Sequence, residues 1–595
     1  MKQDITQNLK ALRDAMAHAG ITAVIIPQSD PHQSEHLASH WQVRRHFSGF
    51  TGSAGDMVVT ADKALLWTDS RYFIQASQQL EGMGIQLMKD GLPETPSIAE
   101  WILENLTAGD TVGVDTAIYS ASRFNELRNT LNSKHIRIEH FDAAQVWTDR
   151  PELPKDKIFI HDTKYAGKSA SEKISEALDA AAKLGADALF ISALDEIAWL
   201  LNIRSRDVRF NPVATAFLFL SKDDSVLFVN PEKLTPEVET HLSQQNIKTL
   251  PYYGSLEKFI SESCLAHKVL VEPERNSQLI ISNLGDKAVM GPSVVAISKA
   301  VKNDTQIAGI RAAMERDGVA LVHAFMEIER RLAVDEPLTE LDVADILRHF
   351  RAEQSLFFDE SFGTIAGYGP HGAIVHYEAT PETSSAIRTG NLLLIDSGAQ
   401  YLDGTTDITR TISIGKPTAA QRRDFTLVMK GHIALAQMQF PSGTTGHQLD
   451  AIARMYLWKE GLSYLHGTGH GVGQFLGVHE GPQSIRLNYV PTPLMPGMVT
   501  SNEPGLYREN IHGIRCENLV LTIPSVSNEF GNFLRFETLT LFPFDLSLFD
   551  TAIMSDAEIE WVNTYHTMVR DRLAPRLDSA ARTWLELRTA PLVKS

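Results

Sequence analysis

The sequence is poor in cysteine, in long apolar runs and in positive charge. Its two cysteines, Cys264 and Cys516, exclude a disulfide framework and a sulfur-rich metal site and fit a reducing compartment. No apolar run approaches the roughly 18 residues of a membrane span, and the first residues lack the apolar core of a signal peptide. The net charge of −18 would repel nucleic acid and anionic membranes. We therefore expect a cytoplasmic, soluble protein with no nucleic-acid or membrane partner.

The first 310 residues repeat one order of helices and strands. Apolar residues at helical spacing predict a first surface helix that ends at Gly20, followed by a buried strand and a hairpin. The strand and hairpin lie at 22–26 and 57–67 in the first copy, and at 188–191 and 216–229 in the second. This pattern predicts two similar α/β domains, 1–155 and 156–310, joined by a linker-like segment at 149–154.

From about residue 305 the sequence changes to long amphipathic helices separated by strands with glycines between them. Helices are predicted at 305–334, 339–354, 418–440 and 446–461. The remaining strands hold nearly all of the acids and histidines that could converge on a site. The segment 311–595 is therefore predicted to be an α+β domain that carries the chemistry.

Two aspartates lie at the centre of this domain. Four apolar residues lead to Asp396, an Asp-Gly turn follows at Asp403, and a second strand-like run begins beside Asp407. A buried carboxylate is costly unless it is paired or coordinates a metal, and two neighbouring carboxylates also repel each other. A cation between them is the simplest remedy, although a turn or cap role would explain either aspartate alone.

Two histidines stand four residues apart, His466 and His470, in a run interrupted by glycines. The glycines make a helix improbable; they predict a backbone that passes close to a bulky neighbour, with at least one imidazole in a site. A surface glycine loop is the alternative.

Two further segments offer acids. An apolar strand end leads to Glu503, and Pro504 then prevents further pairing. In a strand predicted across 513–520, alternation places Arg515 and Glu517 on one face, which is costly unless that face lines a site.

Two aspartates, one histidine and two glutamates form a ligand set of mostly hard oxygens. Such a set suits two divalent ions and favours Mn²⁺ or a similar first-row ion. Paired ions roughly 3.5–4 Å apart can share a water, lower its pKa and bind both oxygens of a tetrahedral intermediate, so amide hydrolysis is the expected reaction. Spacing does not choose the second glutamate, because Glu537 serves as well as Glu517 by residue type.

The chain resembles the Xaa-Pro aminopeptidases (aminopeptidase P), in their three-domain cytosolic form, within the pita-bread metallopeptidases. The resemblance spans nearly the whole chain. The matching motifs outside the acidic site are His-Gln-Ser-Glu at 32–35, Ser-Gly-Phe-Thr-Gly-Ser-Ala-Gly at 48–55, Leu-Trp-Thr-Asp-Ser-Arg-Tyr-Phe at 66–73, Leu-Asp-Glu-Ile-Ala-Trp at 194–199 and Trp-Val-Asn-Thr-Tyr-His at 561–566. The implied fold is two similar N-terminal α/β domains followed by a C-terminal pita-bread α+β catalytic domain with a helical extension.

The resemblance also implies roles for individual residues. The implied metal ligands are Asp396, Asp407, His470, Glu503 and Glu517. Asp407 and Glu517 would bridge two ions, most simply Mn²⁺ with Co²⁺ or Zn²⁺ as alternatives, Glu503 would also be the general base, and Glu537 becomes a structural acid.

Peptide contacts follow from the same resemblance. His376 and His479 would bind peptide and steady the oxyanion, and His466 would line the cleft. Arg71 of the first domain, with Glu35 as a further candidate, would contact the peptide. The implied activity is hydrolysis of the bond between an N-terminal residue and a proline in second position, through a hydroxide held by two metal ions, in a homodimer.

Three rival functions remain. A prolidase would hydrolyse Xaa-Pro dipeptides with the same site, but usually lacks a middle domain. A non-enzymatic pita-bread binding module, as in chromatin chaperones, would have lost metal ligands that are present here, and a methionine aminopeptidase would not need the two N-terminal domains. Two positions depart from the family pattern. Cys516 replaces an aliphatic residue and is expected to point away from the metals, and Leu506 replaces an aromatic residue at a possible pocket rim.

Overall fold

The structure is a computed structural model that describes residues 2–262 and 264–594. The first α/β domain begins with the predicted surface helix, whose end at Gly20 has the left-handed φ of 68° that glycine adopts freely. Its elements are α1 (Lys2–Ala19), β1 (Ala23–Ile26), α2 (Val43–Ser48), β2 (Asp56–Thr60), β3 (Ala64–Thr68), α3 (Phe73–Gln79), β4 (Gln86–Lys89), α4 (Ile98–Asn105), β5 (Thr111–Val114), α5 (Ala121–Asn132) and β6 (Arg137–His140).

The second α/β domain follows the same plan. Its elements are β7 (Phe159–Ile160), α6 (Thr163–Ala166), α7 (Ala170–Lys183), β8 (Ala188–Ile191), α8 (Leu194–Leu201), β9 (Ile203–Arg204), β10 (Ala216–Ser221), β11 (Ser225–Val229), α9 (Pro236–Gln244), β12 (Ile247–Leu250), α10 (Leu256–Glu262), β13 (Val269–Val271), α11 (Gln278–Leu284), β14 (Ala288–Met290) and α12 (Val294–Ala300).

The two sheets have one topology. In the first, the strands lie in the order β4-β3-β2-β1-β5-β6, and in the second in the order β12-β11-β10-β8-β13-β14. Each sheet pairs its central hairpin antiparallel and its outer strands parallel. The central strands are buried along their whole length, as expected for strands covered on both faces. The prediction of two similar α/β domains is confirmed.

The C-terminal domain combines long helices with short antiparallel sheets. Its elements are α13 (Asp304–Ala333), α14 (Glu340–Ala352), β15 (Phe357–Glu360), β16 (Ile365–Tyr368), β17 (Asn391–Ser397), β18 (Ala399–Tyr401), β19 (Gly404–Thr405), β20 (Ile408–Ile414), α15 (Ala419–Ala436), β21 (Gln439–Pro441), α16 (Gly446–Trp458), β22 (Gly469–Gly471), β23 (Glu480–Ile485), β24 (Val499–Asn502), β25 (Gly505–Arg508), β26 (His512–Arg515), β27 (Asn518–Asn528), β28 (Gly531–Thr538), α17 (Asp556–Leu573) and α18 (Ser579–Arg588).

The four long helices predicted from the sequence are present as α13, α14, α15 and α16. The first begins at a capping box in which Asn303 and Gln306 satisfy each other's backbone N–H groups. Its apolar face enters one core that also contains residues of β17, α15 and α17. The strands pair as β15-β18-β19, β16-β17-β20, β25-β26 and β21-β28-β27-β24-β22-β23, so the α+β prediction for this region is confirmed.

The described residues form two compact units. One contains the residues up to Thr163 together with Lys168–Val295, and the other contains Lys164–Gly167 together with Ala296–Ser595. The first unit therefore holds both α/β domains and the second holds the α+β domain. The exact boundaries 1–155, 156–310 and 311–595 stay a prediction. Among the described helices, none combines the length and apolarity needed to cross a bilayer.

The Asp424 carboxylate joins α15 to the β25–β26 hairpin. Arg508 donates to its oxygens at 2.5 and 2.8 Å, and Nε2 of His512 lies 3.0 Å away. Burial of the carboxyl opposes ionisation, but the hydrogen bonds from Arg508 and His512 outweigh it and lower the pKa of Asp424 to about 2. The charged carboxylate is therefore stabilised in the folded state.

Replacing Asp424 by asparagine is expected to cost about 2 kcal/mol of unfolding free energy at pH 7. Because the pKa is lowered on folding, this contribution is complete above the ordinary pKa of an aspartate and is lost as pH falls through about 2. Urea denaturation of both proteins from pH 7 downwards measures the difference, with the exposed Asp223→Asn as the charge control. A difference that stays constant down to the acid limit would contradict this linkage.

Candidate metal centre

Asp396 lies at the end of a buried central strand, as predicted. Strand β17 pairs antiparallel with β16 on one side and β20 on the other, and the Asp396 side chain is buried. The Arg515 guanidinium donates to Oδ2 of Asp396 at 2.6 Å. Its Oδ1 has no hydrogen-bond partner among the described residues. An orphaned buried carboxylate oxygen is the type of atom that a cation would satisfy.

Asp407 lies directly before β20 and is 4% exposed. The turn that leads to it differs from the predicted Asp-Gly turn by one residue. Tyr401 pairs with Gly404, so Leu402 and Asp403 form the loop and Gly404 begins β19. Packing against α13 explains the glycine instead: a Cβ on Gly404 would lie 2.9 Å from the Cβ of Ala313, so the glycine is required by packing rather than by the turn.

His470 lies in β22, within the sheet, so the prediction that this glycine-rich run is not a helix is confirmed. The bulky neighbour inferred from the glycines is the adjacent backbone. A Cβ on Gly469 would lie 1.9 Å from the Ser501 carbonyl oxygen, and one on Gly471 would lie 2.1 Å from that of Glu480. The glycines therefore let β22 fit between β24 and β23 with His470 between them.

The His470 ring is oriented for ligation through Nε2. Its Nδ1 donates to the Gly471 carbonyl at 3.0 Å, and since a carbonyl only accepts, the proton of the neutral ring lies on Nδ1. Nε2 lies 3.5 Å from Oδ2 of Asp407 and 3.4 Å from Oε1 of Glu503. A histidine whose other nitrogen is held by a carbonyl is the usual arrangement of a metal-ligating imidazole.

Glu503 follows β24, as the sequence predicts, and Ser501 donates to its Oε1 at 3.2 Å. The strand predicted across 513–520 is wrong in one respect. Strand β26 ends at Arg515, β27 begins at Asn518, and Cys516 and Glu517 lie between them. The break occurs because β26 pairs with β25 whereas β27 pairs with β24.

The Glu517 carboxylate still faces the aspartates. Thr409 donates to its Oε2 at 2.8 Å, and its Oε1 has no hydrogen-bond partner among the described residues. Ligand atoms of Asp407, His470 and Glu517 all lie within 4.8 Å of one another. The structure therefore brings the acids and one imidazole of the sequence analysis to one place.

Burial and mutual repulsion dominate the electrostatics. Burial, and then the charges of Glu517, Asp396 and Glu503, hold the pKa of Asp407 well above its ordinary value. Burial and the neighbouring carboxylates raise the pKa of Glu517 in the same way. Clustered buried carboxylates with orphaned oxygens fit divalent cations, so the donor set present is suited to the metal that the sequence implies.

Glu537, the alternative to Glu517 from residue type, has another partner. It lies on β28, and Arg311 of α13 donates to its two carboxylate oxygens at 2.9 and 2.7 Å. This bidentate pair connects α13 to the second strand of the six-stranded sheet. Glu537 is therefore held as a structural acid.

The groups that hold the ligands were largely missed by sequence reasoning. The Arg515 guanidinium, besides binding Asp396, donates to the Tyr507 hydroxyl at 2.8 Å. Nδ1 of His466 donates to a carbonyl, so its Nε2 accepts from the same hydroxyl at 2.8 Å. Asp396 and His466 are thus connected through one directed chain of hydrogen bonds.

A buried ion pair on α16 stabilises the loop that contains His466 and Thr468. Arg454 binds Asp450 on α16 and donates to the His466 carbonyl at 2.7 Å, and Thr468 donates to Asp450 at 2.6 Å. The sequence contains a signal for this pair, since Asp450 and Arg454 are opposite charges four residues apart on the buried face of α16. Such a pair indicates a hydrogen-bonded network, because a buried ion pair is retained only where it is hydrogen-bonded.

Each predicted peptide-binding residue has its own immediate neighbours. The ring centroid of His479 lies 4.3 Å from that of His470, with the rings nearly perpendicular. His376 follows a short 3₁₀ helix, Gly369–Ala373, that contacts β26. Arg71, in the first compact unit, forms a bidentate pair with Asp69 at 2.9 and 2.7 Å and is influenced by the charge of Glu35.

The two departures from the family pattern both lie in the core. Cys516 is fully buried, and burial raises the pKa of its thiol to about 12, which makes it unreactive. Leu506 is also buried, and its side chain packs in the main core cluster of the domain rather than at an open rim.

Comparison with known proteins defines the class. Residues 308–523 match Metallopeptidase family M24, and 532–592 match the C-terminal region of that peptidase. Residues 8–144 and 149–306 each match the Creatinase/Prolidase N-terminal domain. The fold and the site together are therefore those of an M24 metallopeptidase with two creatinase-type N-terminal domains.

Similarity to individual proteins is more specific. Aminopeptidase P2 of Arabidopsis thaliana is 41% identical over 99% of this chain and 89% of its own length, and "Probable Xaa-Pro aminopeptidase P" of Aspergillus fumigatus is 41% identical over 99% and 93%. The crystal structure of the X-prolyl aminopeptidase of Caenorhabditis elegans, described as a cytosolic enzyme with a di-nuclear active site, superposes with a TM-score of 0.95 at 34% identity over 99% of both chains. The chain belongs to the Xaa-Pro aminopeptidase (aminopeptidase P) family.

Proposed function

We propose that this protein is a metal-dependent aminopeptidase that removes an N-terminal residue when proline follows it. The observation that carries the proposal is the group of ligand-type side chains around two orphaned carboxylate oxygens, in a chain of this family. The ligands we assign are Asp396, Asp407, His470, Glu503 and Glu517, with Asp407 and Glu517 shared between two divalent ions. Mn²⁺ is the ion we propose, because the donors are mostly hard oxygens.

The protein's own residues orient and move protons around this site. The bound ions supply Lewis acidity and lower the pKa of water at the site. Arg515 holds Asp396 through Oδ2 and leaves Oδ1 for ligation. Glu503 accepts the proton of the attacking water, and Ser501 orients its carboxylate from 3.2 Å.

His479 and His376 are proposed to donate to the carbonyl oxygen of the scissile bond, on which negative charge develops. The ring of His479 adjoins that of His470, which places it beside the proposed ligands. His466 lines the cleft, held by Tyr507 and its own loop. We assign Arg71, and with it Glu35, to contacts with the peptide.

Selectivity for proline follows from the chemistry of the substrate bond. An Xaa-Pro bond has no N–H on its nitrogen, and the ring constrains the chain. A peptidase that recognises that N–H rejects such a peptide, whereas donors directed at the carbonyl accept it. We further propose that the enzyme acts in the cytoplasm as a homodimer, with peptides bearing proline in second position as its substrates.

The test uses purified full-length protein with Mn²⁺ and peptides of matched sequence. We expect cleavage of Xaa-Pro-Xaa peptides and no cleavage when alanine replaces the proline. Activity confined to Xaa-Pro dipeptides would identify a prolidase, and binding without cleavage would identify a non-catalytic module. A chelator should abolish turnover, and Mn²⁺ should restore it.

Replacing His479 by alanine is expected to lower kcat by about 10²-fold, the usual cost of losing one oxyanion donor. The Mn²⁺ content should stay unchanged, because His479 is not among the proposed ligands. Steady-state kinetics at saturating Mn²⁺ with metal analysis measures both. An increase in KM with unchanged kcat would contradict the assigned role.

A further inference from the structure

The break between β26 and β27 leaves two peptide units outside the sheet. The N–H of Glu517 donates to the Thr409 carbonyl at 3.1 Å, and that of Cys516 to the Pro504 carbonyl at 3.3 Å. Among the described residues, their carbonyls have no strand partner and instead accept from buried side chains. Nδ1 of His432 lies 3.2 Å from the Cys516 carbonyl, and Nη1 of Arg410 donates to the Glu517 carbonyl at 2.5 Å.

Arg410 is unusual among the buried arginines of this domain. Arg351, Arg454 and Arg515 each bind an aspartate, whereas the hydrogen bonds that Arg410 donates among the described residues go to neutral acceptors. Besides the Glu517 carbonyl, these are the carbonyls of Thr409, Phe542 and Pro543, Oδ1 of Asn518 and the hydroxyl of Tyr565.

Burying a cation without a hydrogen-bonded anion is costly. Arg410 is 2% exposed, and its guanidinium lies 4.0 Å from the Phe544 ring centroid. Hydrophobic residues of similar size would satisfy the packing at lower cost. The rigid fork of an arginine, by contrast, can bind acceptors from several chain segments in one geometry.

The segments that Arg410 binds are those that carry the proposed bridging ligand. Along β20, alternation turns Thr409 and Arg410 to opposite faces. On the face that carries the proposed ligands, Thr409 donates to Oε2 of Glu517. On the opposite face, Arg410 donates to the carbonyls of Thr409 and Glu517. The Thr409 hydroxyl and the Glu517 main chain set the position of the Glu517 carboxylate, and one guanidinium binds the main chain of both residues.

Helix α17 reaches the same point. Nη2 of Arg410 donates to the hydroxyl of Tyr565 on α17 at 2.9 Å, and the single proton of that hydroxyl has three acceptors within reach: the carbonyls of Thr540 and Phe542, at 3.0 and 2.9 Å, and Oδ1 of Asn518, at 3.3 Å. Asn518 in turn donates to Nε2 of His432 at 3.3 Å, so His432 carries its proton on Nδ1 for the Cys516 carbonyl. The peptide units on both sides of Glu517 are held by one connected network.

We propose that Arg410 is a positioning residue for the metal centre, and that Tyr565 connects helix α17 to it. Together they fix the backbone of Glu517 so that its carboxylate is preorganised to bridge two ions. This inference rests on the proposed function, because it assigns Glu517 as a ligand. The region that contains α17 then contributes to metal binding as well as to the packing of the core.

The test measures Mn²⁺ binding, by calorimetry on metal-free full-length protein, together with kcat and KM. Arg410→Lys keeps the charge but loses the fork, and is expected to weaken the binding of one ion by about 10- to 100-fold, as for other groups that orient ligands. Tyr565→Phe removes one hydroxyl and is expected to weaken it by about 3- to 10-fold. In both variants kcat at low Mn²⁺ should fall while KM changes little.

Tyr401→Phe is the matched control. Its buried hydroxyl donates to Asp317 at 3.1 Å, and Asp317 keeps its bidentate pair with Arg351. The Tyr401→Phe protein should lose about as much unfolding free energy as the Tyr565→Phe protein, without a change in Mn²⁺ affinity. The proposal is overturned if folded Arg410→Lys binds both ions as the wild type does, or if Tyr565→Phe and Tyr401→Phe have equal affinities.

If Arg410→Lys does not fold, the comparison of the two tyrosine variants decides. A wild type that binds no pair of Mn²⁺ ions, or cleaves no Xaa-Pro peptide, would instead contradict the proposed function itself. The two failures are therefore distinguishable.

Discussion

Asp407→Ala is expected to abolish hydrolysis while making the metal-free protein at least as stable as the wild type. Asp407 is buried, and the charges of Glu517, Asp396 and Glu503 oppose its ionisation. Removing it relieves this repulsion but also removes a group proposed to bridge both ions. Loss of activity through loss of a ligand is therefore separated from loss of activity through unfolding.

Thermal unfolding with and without Mn²⁺ measures this. Saturating metal at about 100 times its Kd should stabilise the wild type by about 2.7 kcal/mol, and the variant by much less. Glu537→Ala is the control, because Arg311 rather than a metal binds that carboxylate, and it should keep activity and both ions. Full activity in Asp407→Ala, or loss of an ion in Glu537→Ala, would refute the ligand assignment.

Glu503→Gln is expected to lower kcat by about 10²- to 10⁴-fold, the range that a general base contributes. Glutamine keeps the size of the side chain and one oxygen that can ligate, but it cannot take a proton from water. The deficit should therefore persist at Mn²⁺ concentrations that load both ions. Single-turnover and steady-state rates, with metal content determined on the same samples, check this.

Glu537→Gln provides the matched control for the loss of one carboxylate charge in the same domain, and its kcat should stay near that of the wild type. If excess Mn²⁺ returned Glu503→Gln to the wild-type kcat, Glu503 would be a ligand and not the base. The proposed proton transfer would then need another acceptor.

Local sequence was sufficient to predict the long helices of this fold and the repeated strand and hairpin of its α/β domains. The duplication of the α/β domain could be predicted because each copy has the same strand and hairpin, and the two sheets have the same strand order. The long helices could be predicted because their apolar residues recur at helical spacing, and α13 begins at a capping box. Asp396 and Glu503 could be selected as candidate ligands because each comes at the end of a predicted strand; Asp396 is the last residue but one of β17, and Glu503 directly follows β24.

Details of backbone path could not be predicted in the same way. The turn before Asp407 differs by one residue, and Gly404 is required by its packing against α13 rather than by the turn. The strand across 513–520 is broken because its two halves pair with different partners, β25 and β24. Both outcomes depend on elements distant in the chain, and no local pattern encodes them.

The choice between Glu517 and Glu537 shows this limit most clearly. By residue type the two are equivalent, and only family resemblance favoured Glu517. In the folded chain Arg311 binds Glu537, whereas Glu517 faces Asp407 and His470 with one oxygen orphaned. The free energy of a carboxylate depends on the charges and donors around it, and those come from other segments.

The sequence by itself determined the number and kind of domains, the helices, the buried strands and the types of side chain available for two cations. Periodicity and burial are local properties, so they can be read along the chain. Only the tertiary structure decided which acids meet and which atoms remain unsatisfied. It also decided that Arg410 donates to both the Glu517 carbonyl and the Tyr565 hydroxyl, because a buried polar group is satisfied by whichever neighbours folding brings to it.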